Sequence, residues 1–481
     1  MARPCCRQHP LLGCFKGQQE LLGLFNADSL RVFLADRFLR YARRELLTPS
    51  YWAFWVKTSH CTLGLLLFLN HKRRSNMKSI EDKFAMLATD NAPGQEGRQK
   101  VADLGPLLRG DPIGGRLVDF SHGDVDAFEP TPGSFEAFTA GVASGTEQAY
   151  TVYRGNENIR EHLAAKLSEF TGAPISSNDE LIITPGTQGA LFLAIASCVS
   201  AGDKVAIVQP DYFANRKLVQ FLGAEIVPIE LNYLDANEQA GLDLGQLEDA
   251  FKAGSKVFVF SNPNNPTGVI YSESQIDNIA RLARQHGATL VVDQLYSRLL
   301  YEGNGYTHLR ANPHAPRNVI TIIGPSKTES LSGYRVGVAM GAPKLIDRME
   351  KLQAIVSLRA AGYSQSVLRT WFAEPAGWLT KRIAMHQAMR DTLLERLRAV
   401  SGLVARTPQA GSYLFPRLPE LAVSTQTFIA ALRLQANVTV TSGAEFGPHS
   451  TDSIRFNFSQ DYRAAVQAVE RSCTLIERYR K

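Results

Sequence analysis

Short apolar runs, each with the length of a buried strand, alternate with amphipathic helical stretches through the middle of the chain. The predicted strands are Leu181–Ile183, Val205–Val208, Ile226–Ile229, Val257–Phe260, Leu290–Val292 and Val319–Ile323. Helical stretches such as Ser274–Gln285 separate them. This alternation predicts βαβ units and an α/β fold class, with a mainly parallel sheet that helices cover on both faces. Ligands of such sheets bind beyond the carboxyl ends of the strands.

Several of these apolar runs are followed by residues that can do chemistry, namely Asn265, Asp293, Tyr296 and Lys327. Burying a lysine ammonium costs free energy unless it is paired or converted into a Schiff base. The pattern therefore predicts one sheet edge that presents an amide, an acid, a phenol and an amine. This inventory suits pyridoxal phosphate, which needs an amine for its aldehyde, an acid for its ring nitrogen and donors for its phenolate oxygen.

The chain resembles the class I/II aminotransferases, which are pyridoxal-phosphate enzymes of fold type I. The resemblance runs from about Asp119 to Arg463 and rests on the order of the motifs around Asn265, Asp293 and Lys327. It implies a mainly parallel seven-stranded sheet in a large domain, together with a small α+β domain. The expected boundaries are 1–76 for an N-terminal extension, 77–135 and 343–481 for the two parts of the small domain, and 136–342 for the large cofactor-binding domain.

The resemblance implies a role for each residue around the cofactor ring. Lys327 corresponds to the lysine that forms the internal aldimine and then moves the proton of the substrate Cα. Asp293 corresponds to the acid that keeps the pyridine nitrogen protonated. Tyr296 and Asn265 correspond to the partners of the cofactor O3′, and Tyr212 to the aromatic ring that stacks on the pyridine face.

The phosphate site is expected between a strand and a helix, where backbone N–H groups at a helix start point towards an anion. The residues that the resemblance implies for it are Gly186, Thr187, Gln188, Ser326 and Arg335. Tyr150 corresponds to a tyrosine that reaches the phosphate in the neighbouring subunit, which implies a homodimer with shared active sites. The family usually has Ser or Thr where this chain has Gly324, so one phosphate contact is expected to be missing or replaced.

The resemblance also implies a substrate site for an amino acid and a 2-oxo acid, used in turn by a ping-pong mechanism. Arg455 corresponds to the arginine that holds the substrate α-carboxylate, because a planar guanidinium can make two parallel hydrogen bonds to it. Gly123 and Asn265 correspond to further contacts near the same carboxylate. An acidic substrate needs a second arginine, for which Arg359 is a candidate, and the side-chain specificity stays open.

Two other functions remain as alternatives to transamination in amino acid metabolism and biosynthesis. The same scaffold supports pyridoxal-phosphate lyases, cyclases and oxidases, and the unusual Glu329 beside the lysine leaves that alternative open. A DNA-binding regulator with an aminotransferase-like domain would carry an N-terminal winged helix. Residues 1–76 have no clear helix-turn-helix pattern, which argues against a regulator.

The first 76 residues differ from the rest of the chain in charge and thiol content. They hold twelve Lys or Arg and four Asp or Glu, so their net charge is +8. The net charge of the whole chain is +6, which leaves −2 for the remaining residues. Nucleic acid is therefore not an expected partner of the body. The apolar run at 63–69 is too short to span a bilayer, so no membrane partner is expected. We expect this segment to be poorly ordered or to precede a native start at Met77, with a transit or membrane-surface segment, or a genuine accessory element, as the alternatives.

Only two of the six cysteines, Cys198 and Cys473, lie beyond this extension. Their number excludes a disulfide framework, and the cysteine spacing fits no regular zinc site, so no metal is expected. The sequence predicts a cytoplasmic protein.

Overall fold

The computed structural model describes residues 79–96, 104–123, 127–234 and 240–481. Backbone contacts mark Lys83–Lys481 as one compact unit. The expectations for residues 1–76 lie outside the described residues. The architecture below is that of this unit, together with the first residues of α1, which begins at Ile80.

Helices and strands alternate as the apolar pattern predicts. The α-helices are α1 (Ile80–Leu87), α2 (Ser134–Ala143), α3 (Gly145–Gln148), α4 (Glu157–Thr171), α5 (Gly186–Cys198), α6 (Phe213–Phe221), α7 (Leu244–Lys252), α8 (Glu273–His286), α9 (Pro343–Val356), α10 (Gly362–Gln365), α11 (Trp378–Arg398), α12 (Thr425–Ala436) and α13 (Tyr462–Tyr479). The strands are β1 (Val118–Asp119), β2 (Leu181–Pro185), β3 (Lys204–Gln209), β4 (Glu225–Asn232), β5 (Gly241–Leu242), β6 (Val257–Ser261), β7 (Thr289–Asp293), β8 (Val319–Ile323), β9 (Val336–Gly341), β10 (Tyr413–Leu414), β11 (Val438–Thr439), β12 (Thr441–Ser442) and β13 (Ile454–Asn457).

The central sheet has the strand order β2-β9-β8-β7-β6-β3-β4-β5. The pairs β3–β4, β3–β6, β6–β7 and β7–β8 are parallel, which confirms the mainly parallel α/β fold. The expected number of seven strands is one too few, because the two-residue β5 pairs antiparallel with β4 at the sheet edge. Two residues leave no apolar run in the sequence that could signal a strand.

Strand β9 was not among the strands predicted from the sequence, and it determines how the site is built. It pairs antiparallel with both β8 and β2, so β2 and β8 run in the same direction. The first residues of β9 therefore lie at the same sheet edge as the last residues of the parallel strands. Gly337 and Gly341 interrupt its apolar pattern. Both are needed, because a Cβ at Gly337 would lie 2.4 Å from the backbone N of Thr187 and a Cβ at Gly341 would lie 2.5 Å from the carbonyl oxygen of Val319.

Local capping sets the ends of the helices that cover the sheet. The Asn156 side chain accepts a hydrogen bond from the N–H of Ile159 at the start of α4, and Gly172, with a φ of 72°, ends that helix. Ser272 and Gln275 form a reciprocal capping box at the start of α8. Residues of α5 and α9 pack on one face of the sheet, and residues of α7 and α8 pack on the other.

The C-terminal part builds a separate apolar core with a three-stranded antiparallel sheet of order β10-β13-β12. Val118 and Phe120 join this core from the other end of the described chain. Helices α9, α10 and α11 follow one another as separate elements. Leu358 has a φ of 65° between α9 and α10, and Gly377 has a φ of 79° immediately before α11. The domain boundaries near 135 and 342 stay a prediction.

The helices in the described part of the chain are too short or too polar to cross a lipid bilayer.

Candidate active site

Two cavities adjoin each other at the carboxyl ends of the parallel strands. The smaller has a volume of about 150 Å³ and the larger about 490 Å³. Ser326 and Lys327 line both. A side chain on the segment that follows β8 can therefore reach two bound groups at once.

The smaller cavity brings together most of the residues that the sequence singled out. It is lined by Thr187, Gln188, Tyr212, Asn265, Asp293, Tyr296, Ser326, Lys327 and Arg335. Those residues come from six separate segments of the chain. They meet because β2, β3, β6, β7 and β8 all end at this edge, whereas β9 begins there.

Asp293 is the last residue of β7, and its carboxylate accepts a hydrogen bond of 3.0 Å from the N–H of Leu295. Burial raises the pKa of Asp293 to about 6, although that hydrogen bond and the charge of Lys327 act to lower it. An acid in this environment gains free energy from a cationic partner, because the partner offsets the cost of desolvation. A protonated ring nitrogen is such a partner.

The end of the cavity near α5 suits a phosphate. The Ser326 hydroxyl is buried and has no hydrogen-bond partner among the described residues. Arg335 immediately precedes β9, and a Cβ at Gly186 would lie 2.5 Å from its Nη2, so only glycine lets the guanidinium come this close to the start of α5. A helix N-terminus, an unpaired hydroxyl and a guanidinium together match the charge and hydrogen-bonding needs of a phosphate.

The structure gives a packing reason for Gly324, which departs from the family pattern. A Cβ at this position would lie 2.6 Å from Cγ2 of Thr187. The Thr187 side chain therefore occupies the space next to Gly324. Thr187 also lines the smaller cavity and has a hydroxyl of its own.

A chain of hydrogen bonds behind the cavity orients Asn265. The buried Asp211 accepts hydrogen bonds from the backbone N–H and the hydroxyl of Ser261, and the Ser261 hydroxyl accepts one of 3.1 Å from the N–H of Asn265. The Asn265 Oδ1 accepts a hydrogen bond of 3.1 Å from Nη1 of Arg455. This contact leaves the amide Nδ2 of Asn265 as a donor. Sequence reasoning missed Asp211, although it directly precedes Tyr212.

Arg455 is almost completely buried on β13, although a lone arginine in a strand is more often exposed. Its Nη2 donates to the carbonyl of Ser121 at 2.9 Å, and its Nε has no partner among the described residues. Gly123 lines the larger cavity. A Cβ added at Gly123 would lie 3.3 Å from Cβ of Ser459. Arg455 thus retains donor capacity for an anion.

Tyr413 is a further site residue that sequence reasoning missed. It lines the smaller cavity, and its hydroxyl lies 2.5 Å from the hydroxyl of Tyr296. The only signal in the sequence was an aromatic residue within the short run Tyr413-Leu414-Phe415.

Tyr150 and Arg359 line neither cavity in the described protomer. The Tyr150 side chain is 81% exposed, and the Arg359 guanidinium lies 4.4 Å from the centre of its ring. They stand together on the protein surface.

The unusual Glu329 belongs to a buried ion cluster. The guanidinium of Arg298 hydrogen-bonds both Glu329 and Glu374. Burial and the neighbouring Glu374 raise the pKa of Glu329 to about 7 against the lowering effect of Arg298. The backbone carbonyl of Glu329 also accepts a hydrogen bond of 3.0 Å from the N–H of Thr131. These contacts hold the segment that carries Lys327.

A mainly parallel α/β sheet with a lysine, an acid and an anion site at one edge defines the class of fold-type I pyridoxal-phosphate enzymes. The family model for aminotransferase class I and II matches residues 117–469. The chain therefore belongs to the class I and II aminotransferases. It is a pyridoxal-phosphate-dependent transaminase, and its substrates are an amino acid and a 2-oxo acid.

Individual relatives support the same assignment. A crystal structure of an aspartate aminotransferase from Rhodobacter sphaeroides is 63% identical, with a TM-score of 0.80, and the match covers 84% of this chain and 100% of that chain. A probable aspartate/prephenate aminotransferase from Thermus aquaticus is 30% identical over 391 residues, which are 79% of this chain and 94% of that protein. An aspartate aminotransferase from Sulfolobus acidocaldarius is 28% identical over 368 residues, 75% of this chain and 90% of that protein.

The packing of Gly324 against Thr187 yields a prediction. Gly324→Ser should weaken pyridoxal phosphate binding and lower stability by about 1–3 kcal/mol, because the new Cβ meets the Thr187 methyl group. The double variant G324S/T187S lacks that methyl group and should recover most of the loss. Cofactor titration and thermal unfolding measure both effects, and an unimpaired G324S variant would contradict the packing argument.

The Glu329 cluster predicts a pH-dependent stability. The folded-state pKa of Glu329 lies above its ordinary value, so folding takes up a proton that the unfolded chain has released. The wild type should therefore gain about 2 kcal/mol relative to E329Q as the pH falls from about 8 to about 5.5. Thermal midpoints at both pH values measure this difference.

Glu374 offers a matched control. Its hydrogen bond to Arg298 lowers the pKa of its carboxyl against the effect of burial, so its protonation falls below this pH window. E374Q removes only the neighbouring charge that helps to raise the pKa of Glu329 and leaves burial, the largest cause, in place. The difference between the wild type and E374Q should hence change less across the window than the difference between the wild type and E329Q. Equal pH dependence in both variants would contradict the assignment.

Proposed function

We propose that this transaminase takes its amino group from L-aspartate, passes it to a 2-oxo acid, and binds pyridoxal phosphate through Lys327. The observation that carries the proposal is the position of Lys327 at the junction of the two cavities. From there its amine can contact the cofactor in the smaller cavity and the substrate Cα at the entrance to the larger one.

Each residue around the cofactor would have its own chemical role. Asp293 would pair with the ring nitrogen, Tyr296 and Asn265 would donate to O3′, and Tyr212 would cover the ring face. When bound, the cofactor supplies an electron sink for the charge that develops at the substrate Cα. The Lys327 amine removes and returns the Cα proton, since it is the base nearest to both cavities.

At the other end, Arg455 would hold the substrate α-carboxylate. Its contact with Asn265 fixes the guanidinium before substrate binds, so little rotational freedom is lost on binding. The phosphate would lie against Gly186, Thr187, Ser326 and Arg335, with Gln188 beside the ring. The Tyr212 hydroxyl donates to Oε1 of Gln188 at 2.9 Å, which holds the stacking ring in place.

The aspartate proposal rests on relatives that are aspartate aminotransferases, above all the 63% identical protein from Rhodobacter sphaeroides. A side-chain carboxylate needs a cation. Arg116 and His122 line the larger cavity of the same protomer. Arg359, with its partner Tyr150, would approach the site of a second subunit.

The reaction is tested by a half-transfer experiment. With L-aspartate and no acceptor, the visible absorption of bound pyridoxal phosphate should disappear once per site, and 2-oxoglutarate should restore it. Borohydride should fix the cofactor on Lys327, and Lys327→Ala should lose at least about 10³-fold in turnover while staying folded. Continuous ammonia release with the absorption intact would instead indicate a lyase.

We also propose a homodimer with shared sites. The segments 134–153 and 355–363 pack against each other and carry exposed apolar side chains, namely Phe135, Val142, Tyr150, Val152, Tyr153, Ile355, Val356, Leu358 and Tyr363. A cluster of that size is typical of a protein–protein interface. It carries Tyr150, the residue expected to reach the neighbour's phosphate. The free thiols of Cys198 and Cys473 suit a cytoplasmic location.

Mixed dimers test whether the sites are shared. A dimer of one K327A chain and one Y150A chain should contain one complete site, because each chain supplies what the other lacks. Random mixing should give about a quarter of the sites with wild-type cofactor affinity. Activity no greater than the sum of the two variant homodimers would show that Tyr150 serves its own protomer.

A further inference from the structure

Tyr413 stands behind Tyr296 in the smaller cavity. The two hydroxyl oxygens are 2.5 Å apart, which is the short end of the range for hydrogen bonds between hydroxyl groups. The rings meet edge to face, with centroids 5.4 Å apart and an interplanar angle of 75°. Each residue has only 3% of its surface exposed. Water therefore competes little for this hydrogen bond.

Strand pairing fixes Tyr413 relative to Arg455. β10 pairs antiparallel with β13, and Tyr413 lies opposite Asn457, two residues beyond Arg455. The Arg455 guanidinium lies 4.4 Å from the centre of the Tyr413 ring. Tyr413 thus touches both the proposed clamp for the substrate carboxylate and the proposed partner of the cofactor oxygen.

Charge decides which hydroxyl donates. Burial acts to raise the pKa of Tyr413, but the positive charges of Lys327 and Arg455 and the hydrogen bond with Tyr296 lower it overall. Burial and the neighbouring Tyr413 raise the pKa of Tyr296 well above its ordinary value. Tyr413 is the more acidic phenol and hence the stronger donor. If it donates, the proton of Tyr296 is free for another acceptor.

We propose that Tyr413 is a positioning residue that donates its phenolic proton to Tyr296 and thereby directs the proton of Tyr296 to the O3′ of the bound cofactor. This inference rests on the proposed binding of pyridoxal phosphate at Lys327. The opposite arrangement, with Tyr296 donating to Tyr413, would turn the Tyr296 proton away from the cofactor.

The arrangement has a measurable consequence. A hydroxyl that accepts one hydrogen bond becomes a stronger donor in the next. Tyr413 therefore strengthens the donation from Tyr296, which stabilises negative charge on O3′ and lowers the basicity of the group that shares a proton with it. Without the Tyr413 hydroxyl, the visible absorption of the bound cofactor should change with pH at a higher value.

The test is the pH titration of that absorption in the loaded enzyme, compared between the wild type and Tyr413→Phe. The midpoint should move upward by about half a unit in Y413F, and cofactor affinity should fall severalfold. Tyr296→Phe should move the midpoint further. The double variant should equal Y296F, because Tyr413 acts only through Tyr296.

Tyr479 provides a matched control, since its buried hydroxyl donates to Gln435 and accepts from the N–H of Arg109 but lines neither cavity. Tyr479→Phe removes a similar hydroxyl and should leave the titration unchanged. If Y413F does not fold, difluorotyrosine at position 413 keeps the hydroxyl and makes it more acidic, and should move the midpoint downward.

Two outcomes overturn the proposal. One is an unchanged midpoint in folded Y413F, and the other is a shift in Y413F that adds to the shift of Y296F. Failure of the underlying function would be distinguishable, because the wild type itself would then show no cofactor absorption that borohydride fixes on Lys327.

Discussion

The common direction of β2, β3, β6, β7 and β8 is the constraint on which the candidate site depends. Parallel strands that end at one edge bring residues far apart in sequence within reach of one small cavity. The antiparallel β9 adds Arg335 to that edge, because its N-terminus lies where the other strands end. The ends of buried strands are fixed by the sheet, so they hold charged groups with little loss of entropy on ligand binding.

A second layer of contacts joins this edge to the C-terminal core. Asp211 holds Ser261, Ser261 holds Asn265, and Asn265 meets Arg455 from β13. Every link except the last joins residues at or just beyond the carboxyl ends of β3 and β6. The buried amide of Asn265 therefore links the proposed substrate clamp to the smaller cavity, so a change at Asp211 should be felt at Arg455 through two intervening residues.

The strand assignments that could be read from sequence were those with continuous apolar runs. Val319–Ile323 was predicted with its observed bounds, and the ends of β3 and β6 were placed within one residue. Strand β9 was missed because two glycines interrupt it, of which Gly337 packs closely against the backbone of α5 and Gly341 against that of β8. Tyr413 and Asp211 were missed for a different reason. Their importance lies in partners more than 40 residues away, Tyr296 and Ser261, which no local pattern reveals.

Gly324 and Glu329, the two departures from the family pattern, differ in the physical interaction that explains them. Gly324 is a packing substitution, because the volume that a side chain would fill is taken by the Thr187 methyl group. Glu329 is an electrostatic one, because it places a second carboxylate on Arg298, which already pairs with Glu374. A guanidinium can satisfy both by hydrogen bonds, but one positive charge cannot neutralise two buried negative ones. Burial and the neighbouring Glu374 raise the pKa of Glu329 to about 7, so its carboxyl takes up a proton close to neutral pH. The segment that carries Lys327 is thus held by a contact that depends on pH. That contact is made by Glu329, two residues after the lysine.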